Sequence, residues 1–89
     1  MDLNGLSLRR AVIPGARLSG STLREADFTE CDLAGATLNF CDLEGADFRG
    51  AHLANAMLVD AKLAGANFEK AVTEGASWSE GDVFPYPTR

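Results

Sequence analysis

Residues 41–50 read Cys41-Asp42-Leu43-Glu44-Gly45-Ala46-Asp47-Phe48-Arg49-Gly50, two copies of one five-residue phrase: small, polar, large apolar, polar, glycine. Working outward in both directions, the large apolar position recurs at every fifth residue from Leu3 to Phe68, then less strictly through Thr73, Trp78 and Val83. A small residue stands two positions before it, as at Ala26, Cys31, Ala36, Cys41, Ala46 and Ala51. An α-helix cannot use this period. At ~100° per residue, five residues overshoot a full turn by ~140°, and the leucines smear around the cylinder. Within each unit, however, the small and large residues are two apart with a mostly polar one between, as in Ala26-Asp27-Phe28, Ala46-Asp47-Phe48 and Ala66-Asn67-Phe68. That alternation predicts half-buried strands about three residues long.

The remaining two positions of each unit must turn a corner. Eight of the nine glycines fall two residues after a large apolar position, at Gly5, Gly15, Gly20, Gly35, Gly45, Gly50, Gly65 and Gly75. A type II turn needs positive φ at its third residue, and Ile13-Pro14-Gly15-Ala16 fits the whole turn because proline presets φ at the second. Asn55 is the next best residue for such a corner. The number of sides follows from a longer period. Phe28, Phe48 and Phe68 are spaced by twenty, as are Gly15, Gly35, Asn55 and Gly75. Aromatic residues stack best over their own kind, so a four-sided coil is favoured over a three-sided one that sets Phe28 over Leu43 and Leu58.

The units Cys41-Asp42-Leu43-Glu44-Gly45 and Ala61-Lys62-Leu63-Ala64-Gly65, with the repeated Ala-Asp-Phe and Ala-Gly-Ala, resemble the pentapeptide-repeat family, whose motif is A(D/N)LXX. The resemblance covers roughly residues 6–80 and weakens at both ends. It implies an all-β fold, a right-handed quadrilateral parallel β-helix (a solenoid) of about four coils. The expected organisation is one β-helical domain over residues 1–80, with imperfect repeats at 1–15, and a C-terminal capping tail at 81–89. The family's roles are diverse, so the resemblance carries little about function.

Composition narrows the function classes. The net charge is −5, which argues against direct binding to a nucleic-acid backbone and reads most simply as solubility. No positively charged start followed by an apolar run is present, and no stretch approaches a membrane span, so a cytoplasmic address is the expectation. Cys31 and Cys41 occupy small inward positions ten residues apart, on opposite sides of one coil, and are expected to be inert core thiols. His52, the single histidine, sits at an outward position with no nucleophile or carboxylate cluster placed to work with it, and reads as a solvated side chain. The Gly-X-X-X-X-Gly spacings arise from the corner period and lack the Lys and Ser/Thr of a phosphate-binding loop. No catalytic, metal or cofactor residue is expected, and the chain does not read as an enzyme.

Function is therefore sought on outward positions and at the ends. The face bearing the phenylalanines carries Asp27, Asp47 and Asn67 with Thr29, Arg49 and Glu69, a polar ladder that reads as solvated. The face carrying Leu38 and Leu58 is different. Phe40 takes a corner position there, and Met57 and Val59 follow on the next coil. Either these three form an apolar contact patch, or Phe40 folds over its corner onto a neighbouring coil. At the front, Met1, Leu3, Leu6 and Leu8 are bulky enough to close the end of the core. At the back, Trp78, Phe84 and Tyr86 are the candidate end cap or dimer contact, and Pro85 and Pro87 stop further strand pairing. The favoured reading is a non-enzymatic structural or protein-interaction module with an unidentified protein partner and a weak homodimer through its C-terminal end. The alternative comes from the resemblance: an acidic DNA mimic that binds a topoisomerase of the gyrase type. The interleaved Arg24, Arg49, Lys62 and Lys70 and the proline-interrupted tail speak against it.

Overall fold

The computed structural model describes residues 2–79. Its chain climbs a four-sided parallel β-solenoid. Every bridge joins residue i to residue i+20, from Asp2 with Thr22 to Met57 with Ser77, so one coil takes twenty residues. Just under four coils stack in this way.

The repeat phrase can be understood from where its five N–H groups go. The outward residue before the core position donates to the preceding coil, as Asp42 N–H does to the Ser21 carbonyl at 3.0 Å. The core residue and the corner residue donate to the following coil, as Leu43 does to Lys62 at 2.8 Å and Gly45 to Ala64 at 2.9 Å. The next small residue closes the turn: Ala46 N–H donates back to the Leu43 carbonyl at 3.0 Å, and the same bond recurs at each of the fifteen described corners. One N–H remains, on the residue after the core position, and here the Asp or Asn of the motif acts. Asp27 Oδ1 accepts from Thr29 N–H at 2.9 Å, and Asp2, Asp32, Asp42, Asp47 and Asn67 make the same contact two residues on. Where a unit carries Asp or Asn before its core residue, that side chain is thus a local turn cap, the Asx contact that short polar side chains favour.

Fifteen consecutive corner residues have positive φ, and seven of them are not glycine: Arg10, Glu25, Glu30, Phe40, Asn55, Asp60 and Lys70. The glycine pattern thus understates the demand. Every corner adopts the left-handed conformation because the backbone hydrogen bonds on both sides require it, and ordinary residues are held there at a cost of about 1–2 kcal/mol each.

The interior is filled by the large and small inward residues. Leu23, Phe28, Leu33, Leu38, Leu43, Phe48, Leu53 and Leu58 are fully buried. Phe28, Phe48 and Phe68 form one column with ring centroids 4.6 and 4.8 Å apart and planes within 3° of parallel. Cys31 and Cys41 are buried free thiols. Burial pushes the Cys31 thiol up to about 11 and raises Cys41 as well, and the Cys41 thiol donates to the Leu18 carbonyl, with Sγ and O 2.9 Å apart. Both are held as unreactive neutral groups.

The first coil departs from expectation. Leu3 and Leu8 are only half-buried and Leu6 is 37% exposed, so these residues do not close the front of the core, and Met1 lies outside the described residues. An end coil has a neighbour on one side only, and inward side chains one coil deep cannot cover themselves.

Candidate interaction surface

The bridges sort the outward side chains into columns, and the columns into four faces. Two of them form one half of the rod. The leucine face, over core residues Leu3, Leu23, Leu43 and Leu63, bears Asp2, Arg24, Asp42, Glu44 and Lys62. The phenylalanine face bears Arg9, Asp27, Asp47, Arg49 and Glu69. Several of these charges are paired. Arg24 contacts both Glu44 and Asp42, Arg49 meets Asp47 at 2.7 Å, and at the edge of this half Arg10 meets Glu30 at 2.9 Å. A shallow groove, open to water, runs along Arg9, Asp27, Glu30, Asp47, Arg49 and Glu69, with the Arg49–Asp47 pair within it.

Hydrogen bonds from the Thr29 hydroxyl and N–H hold the Asp27 carboxyl below its ordinary value, and the Arg49 guanidinium does the same for Asp47. Because the native pKa is depressed in each case, the stabilisation is present above the unfolded value near about pH 4 and is lost as pH falls through the lowered native values. The melting temperature should therefore fall on acidification below about pH 4, and the Asp27→Asn, Asp47→Asn double variant should flatten that fall. An unchanged acid dependence in the variant would show that these two carboxylates do not carry it.

The other half is different. The histidine face, over Ile13, Leu33, Leu53 and Thr73, presents Val12, Asp32, His52 and Val72 in one column and Pro14, Ala34, Ala54 and Glu74 in the next. The tryptophan face, over Leu18, Leu38, Leu58 and Trp78, presents Arg17, Thr37, Met57 and Ser77 beside Ser19, Asn39, Val59 and Ser79. These two faces and the corner between them hold three of the eighteen charged residues in 2–79: Arg17, Asp32 and Glu74. Among the described residues, four of the five exposed large apolar ones lie on this half or on its edge: Val12, Phe40, Met57 and Val72.

Phe40 is 65% exposed with φ 62°, so its ring does not fold over the corner to cover a neighbouring coil. It stands between Gly20 and Asp60 in the corner column, beside exposed Met57 and half-buried Val59. Trp78 is half-buried and meets Phe68 edge-on, with centroids 5.6 Å apart at 85°. Phe84, Tyr86 and the rest of the 81–89 tail lie outside the described residues. Val12 and Val72 went unnoticed in the sequence. Reading the residue before each core position down a twenty-residue column would have found them.

The Pentapeptide repeats family model matches this chain in eight copies, over residues 1–29 and 31–69. The chain belongs to the pentapeptide-repeat family. Its fold is accordingly the right-handed quadrilateral β-helix that the repeat phrase implies. Among solved structures it is similar to the pentapeptide repeat protein Rfr23 from the cyanobacterium Cyanothece 51142, at 32% identity and a TM-score of 0.43, over 93% of this chain and 53% of that one. A pentapeptide repeat protein from Nostoc PCC 7120, alr5209, is 34% identical with a TM-score of 0.46, over 92% of this chain and 73% of that one. Another from the Arabidopsis thaliana thylakoid lumen is 29% identical with a TM-score of 0.42, over 94% and 66%. This pentapeptide-repeat chain thus spans about half the length of Rfr23. Among curated protein sequences nothing matches it. No helix among the described residues is long and apolar enough to cross a membrane.

Proposed function

We propose that this pentapeptide-repeat protein is a non-enzymatic interaction module, acting in the cytoplasm, whose charge-poor half receives a protein partner. The observation that carries the reading is Phe40. A bulky aromatic held at positive φ and largely exposed gains little from burial and costs backbone strain, which is the pattern of a residue kept for contact. Met57 and Val59 extend it into a small apolar patch on a face almost free of charge, as interface centres are. The free cysteines fit a reducing compartment. The gyrase-directed DNA-mimic alternative draws less support from the surface. Asp47 and Glu44 are each engaged by an arginine, so the acidic rows do not present a continuous run of free negative charge.

Phe40→Gly tests the reading. Removing left-handed strain of about 1–2 kcal/mol against the ~0.5–1 kcal/mol entropic cost of glycine should leave stability unchanged or raise it by up to about 1.5 kcal/mol. Partner recovery, measured by quantitative crosslinking in the native cell, should drop for Phe40→Gly and persist for Glu69→Ala on the opposite half. Equal recovery of the same partners by both variants would remove Phe40 from the contact.

A further inference from the structure

The geometry points to a twofold dimer in which the histidine face of one copy packs against the same face of a second copy, the rods lying antiparallel. This rests on reading the charge-poor half as a contact surface, but not on Phe40. The bridges Val12 with Asp32, Asp32 with His52 and His52 with Val72 place four outward side chains in one straight column. Read along the rod the column is apolar, acidic, imidazole, apolar, with Val12 at 73% and Val72 at 38% exposure. Such a column complements itself when reversed. A twofold axis crossing the rod midway between Asp32 and His52 sets Val12 against Val72 of the second copy and Asp32 against His52. The same operation returns both contacts from the other side, as an isologous interface requires. The neighbouring column sets Ala34 against Ala54 and Pro14 against Glu74; the corner beyond it holds Gly15, Gly35, Asn55 and Gly75, while Arg10, Glu30 and Lys70 border the face on its other edge.

Other arrangements fare worse. Parallel rods on the same face set Asp32 against Ala34 and Val72 against Glu74, which pairs neither the charges nor the valines. Antiparallel phenylalanine faces put Asp27 against Asp47. The tryptophan face reversed sets Met57 against Thr37 and gains no matched apolar pair. The leucine face is complementary in charge, since Asp2 would meet Lys62, but it carries five charges, and Arg24 and Glu44 are already joined within the chain. Drying that face strips hydration from ion pairs that gain nothing new. The histidine face has only Asp32, His52 and Glu74 to desolvate. Within one copy His52 Nδ1 and Asp32 Oδ1 stand 3.9 Å apart, too far for a hydrogen bond, while Asp32 Oδ1 accepts from Ala34 N–H at 3.1 Å.

A face four coils tall and one short strand wide lies below the ~800 Å² per partner of a standard interface. The dimer is therefore weak, with a Kd of about 0.1–1 mM. Sedimentation equilibrium of the 89-residue chain up to about 2 mM should show a monomer–dimer equilibrium in that range. Asp32→His makes the column carry two imidazoles, and His52→Asp makes it carry two carboxylates. Each should weaken association about tenfold or more. The double variant restores a self-complementary column and should dimerise like the unaltered chain. Mixing the two single variants should give heterodimers, because two imidazoles then face two carboxylates. Val12→Lys should leave a monomer with an unchanged circular dichroism spectrum, and Phe40→Gly should dimerise normally. A strict monomer at 2 mM or so would overturn the proposal, as would association indifferent to these swaps or abolished by deleting residues 84–89.

Discussion

Replacing Phe48 by alanine should destabilise the protein by about 3–5 kcal/mol, towards the upper end of what a buried aromatic contributes. Phe48 is fully buried and is the middle ring of the column, stacked on Phe28 at 4.6 Å and on Phe68 at 4.8 Å. Its loss removes two aromatic contacts of about 0.5–1.5 kcal/mol each in addition to apolar burial. It also leaves a void that rigid coils above and below cannot collapse into. For a domain of this size the melting temperature should fall by roughly 15 °C or more. Phe48→Leu should recover most of the loss, since Leu8 occupies the same column at the first coil. A variant Phe48→Ala melting within a few degrees of the parent would show that the rings do not form a packed column.

The second large effect has a position dependence that a globular core would not give. Leu3, Leu23, Leu43 and Leu63 occupy one interior column, but only Leu23 and Leu43 are fully buried. Leu43→Ala should cost about 2–5 kcal/mol. Leu3→Ala, in a half-covered end coil, should cost less than about 1.5 kcal/mol. Urea unfolding midpoints measure both. Amide exchange should run in parallel, with the slowest protons in the two middle coils and faster exchange in the first. Equal costs at Leu3 and Leu43 would mean that the front of the rod is closed after all.

The strands, the corners and the four-sided coil were legible because they rest on periodic burial. A residue such as Leu33 announces its side of the chain by its spacing alone, and Phe28, Phe48 and Phe68 announce the coil length. Less was legible wherever the cause lies outside the local phrase. Arg10, Glu30 and Phe40 carry no left-handed preference of their own; their φ is imposed by bonds to the coils on either side. Leu6 satisfies every local rule for an inward residue and is exposed only because no described coil lies beneath it. The candidate surface was half legible. Phe40 stood out as a misplaced aromatic, whereas Val12 and Val72 stand sixty residues apart and acquire a shared meaning only once the columns are drawn.

The hydrogen-bonding scheme of the coil has a consequence for how such a chain changes length. Each unit of the middle coils donates downward from its outward residue and upward from its core and corner residues, and it does so identically on all four sides. Any unit can therefore sit above any other as far as the backbone is concerned. Losing five residues leaves every ladder bond available but rotates everything beyond the deletion by a quarter turn. Val72 would then no longer stand in line with His52, and Phe68 would leave the ring column. Losing twenty keeps each remaining face in register and only shortens the rod. The backbone thus tolerates change in steps of one unit, whereas the pattern on the surface survives only in steps of four.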